Sequence, residues 1–146
     1  MDKTKRRVLI LCTGNSARSQ MAEGLFRHLV GDAYEVRSAG TKPVGVNPLA
    51  IEAMREIGID ISHHRSKSVS EFDGQHFDAV ITVCDSAAEH CPVFAGAPQR
   101  IHWSLPDPVA VTGSVKERLN SFRSVRDELD ARFQSFLASS PFLNNS

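Results

Sequence analysis

A cysteine and an arginine separated by five residues form the part of this sequence with the clearest chemical potential. They are Cys12 and Arg18 of the segment CTGNSARS, which follows an apolar run and leads into a helical pattern. Five such residues can curl so that successive backbone N–H groups converge on one anion, with the positive end of a helix dipole behind them. Gly14 and Asn15 tolerate the positive φ angles that such a loop needs. Arg18 offers two N–H donors to a tetrahedral anion, so residues 12–18 predict an oxyanion loop.

Cys12 lies inside the predicted oxyanion loop and is the candidate nucleophile. The helix dipole and the Arg18 charge favour the thiolate, so we expect a lowered pKa for the Cys12 thiol, with a hydrogen bond from the Ser19 hydroxyl to the sulfur. The predicted anion-binding residues are the six that follow Cys12: Thr13, Gly14, Asn15, Ser16, Ala17 and Arg18. The alternative is a buried core cysteine with Arg18 in solvent. The succession of strand, Gly-Asn loop, Arg-Ser pair and helix disfavours it.

Alternating strand and helix patterns are predicted to hold this loop at one edge of a parallel sheet. Strands are predicted at 8–11, 34–39, 77–84 and 99–103, and helices directly after the oxyanion loop, at 47–57 and at 115–137. The last helix has an apolar face made of Val115, Leu119, Phe122, Leu129, Phe133 and Phe136. Such alternation predicts a doubly wound α/β domain, in which ligands bind beyond the carboxyl ends of the strands. The loops that begin at Cys12 and Cys84 both lie at that edge.

Composition limits the possible partners. The 146 residues carry 17 basic and 17 acidic side chains, so no overall field attracts nucleic acid or an anionic membrane surface. The apolar run before Thr13 is too short for a signal peptide, and no segment approaches the ~18 apolar residues of a membrane span. We therefore expect a cytoplasmic protein with one domain over residues 1–139 and a flexible tail over 140–146. Its three cysteines indicate buried side chains or chemistry rather than a disulfide framework.

The sequence resembles the low molecular weight protein tyrosine phosphatases and the arsenate reductases that share their fold. The resemblance rests on CTGNSARS, SAGTKPVGVNPLAIEAM, VITVCDSAAEHCPVF and HWSLPDP, which together represent nearly the whole chain. It implies a single-domain, three-layer, flavodoxin-like α/β fold with a four-stranded parallel sheet and helices on both faces. It also implies a phosphate-like oxyanion as substrate. Ala17 stands where some members carry a second loop cysteine, so a loop cysteine cannot take part here.

Two further cysteines distinguish reduction from hydrolysis within this resemblance. Cys84 and Cys91 are separated by six residues after a predicted strand, and phosphate ester hydrolysis has no use for them. The resemblance to thioredoxin-coupled arsenate reductases implies that they are the second and third thiols of a relay. In that relay Cys12 attacks arsenic, Cys84 attacks Cys12 and releases arsenite, and Cys91 attacks Cys84, which leaves a disulfide for an external reductant. Without the resemblance, two cysteines in apolar surroundings would be an equally good interpretation.

Asp107, in the sequence Leu-Pro-Asp-Pro, matches the general acid of this fold, which protonates the departing oxygen. An Asp-Pro pair is also a common turn, so this role comes from the resemblance. The phosphatases usually carry an aromatic residue after Asp-Pro, whereas Val109, Ala110 and Val111 follow here. Arsenate reduction is therefore the predicted activity. Hydrolysis of phosphotyrosine or aryl phosphate is the first alternative, and non-catalytic oxyanion binding is the second.

No metal ion or cofactor is expected. The six histidines form no i, i+4 pair joined to carboxylates or cysteines at ligand spacing. Some related reductases bind potassium behind the loop, where this chain has Asn15, Glu23 and Ser38, but the remaining matching positions hold Arg65 and Lys67. A fixed cation there would repel potassium and could replace it. The expected partners are arsenate, with phosphate and sulfate as competing anions, and thioredoxin or a low-molecular-weight thiol system as reductant.

Overall fold

The structure, a computed structural model, describes residues 6–84 and 99–139. These residues form the strands β1 (Arg6–Cys12), β2 (Tyr34–Gly40), β3 (Ala79–Thr82) and β4 (Gln99–His102), and the helices α1 (Arg18–Val30), α2 (Pro48–Arg55) and α3 (Val115–Ala138). All four strands are parallel and lie in the order β2-β1-β3-β4. The α/β class and the four-stranded parallel sheet predicted from the sequence are thus confirmed. Cys91 and the predicted tail at 140–146 lie outside the described residues.

Strand β1 is central, and its position explains its composition. Residues 8–11 are fully buried between β2 and β3, which accounts for the unbroken apolar run. The parallel register aligns Cys12 with Gly40 and Leu11 with Thr82. The carboxyl ends of β1, β2 and β3 therefore meet at one edge of the sheet, and Cys84 follows β3 at that same edge.

Helix α3 buries most of its predicted apolar face. It begins with a capping box in which the side chains of Ser114 and Glu117 each accept a hydrogen bond from the other residue's backbone N–H. Four of the predicted face residues are buried and Leu119 is half-buried, but Val115 is 64% exposed. Its place in the apolar face was therefore wrong, because a side chain in the first turn can match the periodicity of a helix and still lie beyond the core.

Aromatic packing joins the helices to one another. The Phe26 ring of α1 stacks on Phe133 of α3 with centroids 4.7 Å apart, and Trp103 meets Phe133 edge-on at 5.0 Å. Helix α1 also contacts α2. These contacts pack α1, the helix that follows the oxyanion loop, against the core. Within the described ranges, no helix is long and apolar enough to cross a membrane.

Candidate active site

The peptide groups of the oxyanion loop have a fixed orientation. Its carbonyl groups accept hydrogen bonds from the segment that follows β2: the backbone N–H groups of Lys42, Val44 and Asn47 lie 2.8, 3.0 and 3.0 Å from the carbonyl oxygens of Thr13, Gly14 and Ser16, respectively. A trans peptide directs its N–H opposite to its C=O. Because these carbonyls point outward, the N–H groups that follow them point toward the centre of the loop. This is the arrangement that binds an anion.

Asn15 is the residue at which the loop turns. It has a φ of 45° and is fully buried, so the predicted positive φ is confirmed here. The same prediction is wrong for Gly14, whose φ is not positive; Gly14 instead allows a close approach, since a Cβ at this position would lie 3.1 Å from Val44 Cγ2. The Asn15 side chain donates to Ser19 Oγ at 2.8 Å and Ser38 Oγ at 3.0 Å. The turn is thereby tied to α1 and β2.

Gly40 at the end of β2 gives the loop its space. A Cβ at Gly40 would overlap the Thr13 carbonyl oxygen and lie 2.8 Å from the backbone nitrogen of Asn15. Both obstacles are backbone atoms, which cannot turn away as a flexible side chain can. Only a glycine at this position allows the loop backbone to approach β2 this closely.

Cys12 and Cys84 are both buried cysteines outside any disulfide, and they lie close enough for Cys84 to be the largest influence on the Cys12 thiol. Cys84 Sγ also lies 3.3 Å from Thr13 Oγ1. The two cysteines come from the ends of the neighbouring strands β1 and β3, as the sequence predicted for the carboxyl edge of the sheet. A second thiol thus lies beside the candidate nucleophile.

The contact with Cys84 governs the ionisation of Cys12. The hydrogen bond to Cys84 and burial raise the pKa of the Cys12 thiol well above its usual range, although the charge of Arg18 and a hydrogen bond from the backbone of Ser19 lower it. The lowered pKa predicted from the loop alone is therefore wrong for this arrangement. The role predicted for the Ser19 hydroxyl is also corrected: the bond to Cys12 comes from the Ser19 backbone N–H, whereas the hydroxyl accepts from Asn15.

A cavity of about 200 Å³ opens above the oxyanion loop and brings three predicted residues together. Cys12 and Arg18 line it with Asp107, and the side walls include Val44 and Val109. The Arg18 guanidinium is held by a bond to the Leu105 carbonyl at 3.1 Å and lies 3.7 Å from Asp107 Oδ2. Asp107 is 46% exposed, and its other oxygen accepts from the backbone N–H of Val109 at 3.0 Å. The second carboxyl oxygen of Asp107 thus pairs with the arginine that would bind the anion.

A buried charged cluster lies behind the oxyanion loop. Glu23 Oε1 accepts from Ser38 Oγ at 2.5 Å and lies 3.7 Å from Lys67 Nζ, while its other oxygen is 2.9 Å from Arg27. The Lys67 side chain is only 11% exposed. Arg65, the other candidate cation, pairs with Glu71 at the surface instead. The described residues contain no group of three or more His, Cys, Asp or Glu side chains that could hold a metal ion.

Comparison with known proteins places this geometry in a family. The family described as low molecular weight phosphotyrosine protein phosphatase matches residues 7–140. The chain belongs to this family. An arsenate reductase of Halalkalibacterium halodurans is 45% identical over 132 residues, which is 90% of this chain and 95% of that protein.

Solved structures agree with the sequence comparison. A structure of an arsenate reductase in the phosphate-binding state has a TM-score of 0.74 and 33% identity, and the match covers 92% of this chain and 98% of that one. The thioredoxin-dependent arsenate reductase of Corynebacterium glutamicum has a TM-score of 0.69 and 28% identity, over 95% of this chain and 65% of that one. The resemblance to the arsenate reductases of the low molecular weight phosphatase family is thereby confirmed.

Two residues that support the phosphatase-family loop were not predicted from the sequence. Gln20 is fully buried, and its side-chain nitrogen donates to the backbone and side-chain oxygens of Asn15 at 3.2 and 3.0 Å. Ser66 contacts the same loop from a segment about 50 residues further along the chain. The polar side chain of Gln20, next to the apolar Met21 at the start of α1, was a signal in the sequence that could have indicated its supporting role. No local pattern pointed to Ser66.

Proposed function

We propose that this chain reduces arsenate to arsenite, with the oxyanion loop as its substrate site. The observation that carries the proposal is that Cys84 lies beside Cys12, at the end of the neighbouring strand, while Cys12 lines a cavity together with Arg18 and Asp107. Hydrolysis of a phosphate ester needs one nucleophile, which water later regenerates. Reduction needs a second thiol that can reach the first. The names of the similar arsenate reductases support the same reaction.

The first step is attack by Cys12 on arsenic. The loop N–H groups and Arg18 bind the equatorial oxygens, and the Cys12 proton passes to an oxygen of the arsenate as the sulfur attacks. An S–As bond forms and an As–O bond breaks. Asp107, beside Arg18 at the cavity mouth, gives a proton to the departing hydroxyl, which leaves as water. The product of this step is a covalent Cys12–arsenic adduct.

The second step transfers two electrons to arsenic. Cys84 gives its proton to an oxygen of the bound arsenic group and attacks the sulfur of Cys12 as the thiolate, so that an S–S bond forms and the S–As bond breaks. The electron pair of the broken bond stays on arsenic, which changes from pentavalent to trivalent and leaves as arsenite. Because the two thiols follow the ends of neighbouring strands and interact with each other, this step needs little movement of β1 or β3. A disulfide between Cys12 and Cys84 remains.

The third step regenerates Cys12. Cys91, which lies outside the described residues, attacks Cys84, and the Cys84–Cys91 disulfide is then reduced by an external thiol. A thioredoxin-type protein is the reductant that we propose, in line with the thioredoxin-dependent relative. A low-molecular-weight thiol is the alternative donor.

Phosphate and sulfate compete with arsenate, because the loop and Arg18 recognise tetrahedral anions in general. The reaction takes place in the cytoplasm without a cofactor.

Phosphatase activity is the competing function, because the family as a whole bears that description. Among the described residues, the side walls of the cavity are Val44 and Val109 and no aromatic ring lines it, which leaves little surface on these walls for stacking a phenyl group. The two activities use different thiols. Replacement of Cys84 by serine should therefore stop catalytic arsenite release while hydrolysis of a small aryl phosphate persists, and replacement of Cys12 by serine should stop both. Catalytic arsenite release by the Cys84→Ser variant at the parent's rate would overturn the reductase mechanism.

A further inference from the structure

The oxyanion loop is held from outside by one side-chain hydroxyl in addition to its backbone partners. Ser66 Oγ lies 2.9 Å from the carbonyl oxygens of both Gly14 and Asn15. A serine hydroxyl has one proton, so this proton is shared between two successive carbonyls. Both carbonyls must point toward Ser66 for the contact to exist.

The segment that carries Ser66 is itself fixed at both sides of this residue. The backbone N–H of Lys67 donates to Asn15 Oδ1 at 2.8 Å, and the Lys67 carbonyl accepts from Gly40 N–H at 2.8 Å. On the other side, the Arg65 carbonyl accepts from the Gln20 side chain at 2.9 Å. Ser66 therefore reaches the loop from a support that is anchored to α1 and β2, and it does not move freely with the loop.

We propose that Ser66 is a positioning residue for the oxyanion site. It fixes the outward direction of the Gly14 and Asn15 carbonyls, and the trans geometry of the peptides then directs the N–H groups of Asn15 and Ser16 toward the bound anion. A carbonyl that turned inward would present its oxygen lone pairs to a negatively charged substrate. Ser66 thus acts on anion affinity without touching the anion. This inference rests on the proposed role of the loop as the substrate site.

Removal of the hydroxyl should weaken anion binding more than it weakens the fold. Without it, Gly14 O keeps its bond from Val44 N–H at 3.0 Å and Asn15 O keeps its bond from Gln20 at 3.2 Å. No carbonyl loses its last partner, so the large cost of a buried unpaired group is avoided. The remaining effect is the loss of one orienting hydrogen bond, which corresponds to roughly a fivefold to tenfold loss of affinity.

The test compares Ser66→Ala, Ser66→Thr and Ser70→Ala in the full chain. Ser70 is an exposed serine in the neighbouring turn, where its hydroxyl contacts Ser68, so its replacement is the matched control. The readout is the sulfate concentration that half-protects Cys12 from alkylation by iodoacetamide, measured by peptide mass spectrometry well below the melting temperature of every variant. Ser66→Ala should require roughly fivefold to tenfold more sulfate, whereas the threonine variant, which keeps the hydroxyl, and the control should stay within about twofold of the parent.

An unchanged value for Ser66→Ala, an equal rise in the Ser70 control, or a rise that threonine does not restore would each overturn the role of Ser66. Arg18→Ala tests the site itself. It should abolish protection by sulfate, and protection equal to that of the parent would show that the anion binds elsewhere. Loss of protection in Arg18→Ala together with an unchanged Ser66→Ala variant would refute Ser66 alone.

Discussion

Replacement of Lys67 by methionine removes one charge from the cluster behind the oxyanion loop. The Lys67 ammonium lies 3.7 Å from Glu23, and the two side chains are only 11% and 4% exposed. Methionine keeps an unbranched apolar chain but cannot neutralise the carboxylate. The Glu23 carboxylate holds Ser38, whose hydroxyl in turn accepts from Asn15 of the loop. The variant therefore perturbs both stability and the support of the loop.

The size of the effect follows from opposing contributions. At about 4 Å, two unit charges attract by roughly 4 kcal/mol at an effective dielectric constant of about 20. Against this stands the desolvation of the ammonium, which lowers the pKa of Lys67. Glu23 also keeps its bonds from Ser38 and Arg27. A net loss of about 2 kcal/mol is expected, which corresponds to a fall of about 4–8 °C in melting temperature for a chain of this size.

Thermal unfolding in potassium and sodium chloride at equal ionic strength measures both parts of this prediction. The parent should melt at the same temperature in the two salts, because we expect the Lys67 ammonium beside Glu23 to take the place of a bound cation. The Lys67→Met variant should regain part of its loss in potassium, since the oxygens of Glu23 and Ser38 then face an open position. Arg65→Met is the control: its exposed pair with Glu71 contributes at most about 1 kcal/mol. A parent that potassium stabilises, or a Lys67→Met variant as stable as the parent, would refute the reasoning.

Three further predictions concern the reacting groups. Asp107→Asn should lower arsenate turnover by about 100-fold or more while the inhibition constant for sulfate stays nearly the same, because the lost proton donor acts in the transition state; unchanged turnover would reduce Asp107 to a turn residue. Cys84→Ala should shift the pH profile of Cys12 alkylation to lower pH, because the largest cause that raises the Cys12 pKa is removed; a shift to higher pH would contradict the assignment. Gly40→Ala should abolish sulfate protection of Cys12, because its Cβ would overlap loop backbone atoms, and a fully protected variant would contradict the close approach.

The sheet and the helices could be predicted because their signals are local. The apolar run at 8–11 and the apolar spacing around Phe122 and Leu129 show, within each segment's own sequence, which residues are buried. What failed was the extent of burial. Val115 fits the period but lies in the exposed first turn of α3, while Arg126, a charged residue, is buried because its guanidinium donates to the Ala53 carbonyl at 2.8 Å. Whether such a side chain is buried depends on its partners in another helix, and the local periodicity of the sequence gives no information about those partners.

The candidate site was predictable where one segment supplies the chemistry. The oxyanion loop runs directly from β1 into α1, so Cys12, Arg18 and the turn at Asn15 could be recognised from spacing. The supports of the loop come from residues 40–47 and 65–67, which reach it only after the chain has folded. Two findings depend on such distant contacts: Lys67, and not Arg65, lies beside Glu23, and Cys84 raises the pKa of Cys12. Neither could be predicted without the three-dimensional positions of Glu23 and Cys84.

The central claim is that Cys84 completes the reduction by forming a disulfide with Cys12. A Cys91→Ser variant, reduced and then freed of all external thiol, should be given an excess of arsenate, and arsenite and tryptic disulfide peptides should be quantified together. The mechanism predicts about one arsenite per chain, matched by one disulfide that joins the Cys12 and Cys84 peptides, because the relay stops at this bond. Arsenite released without a matching Cys12–Cys84 disulfide, or the absence of both products, would contradict the mechanism.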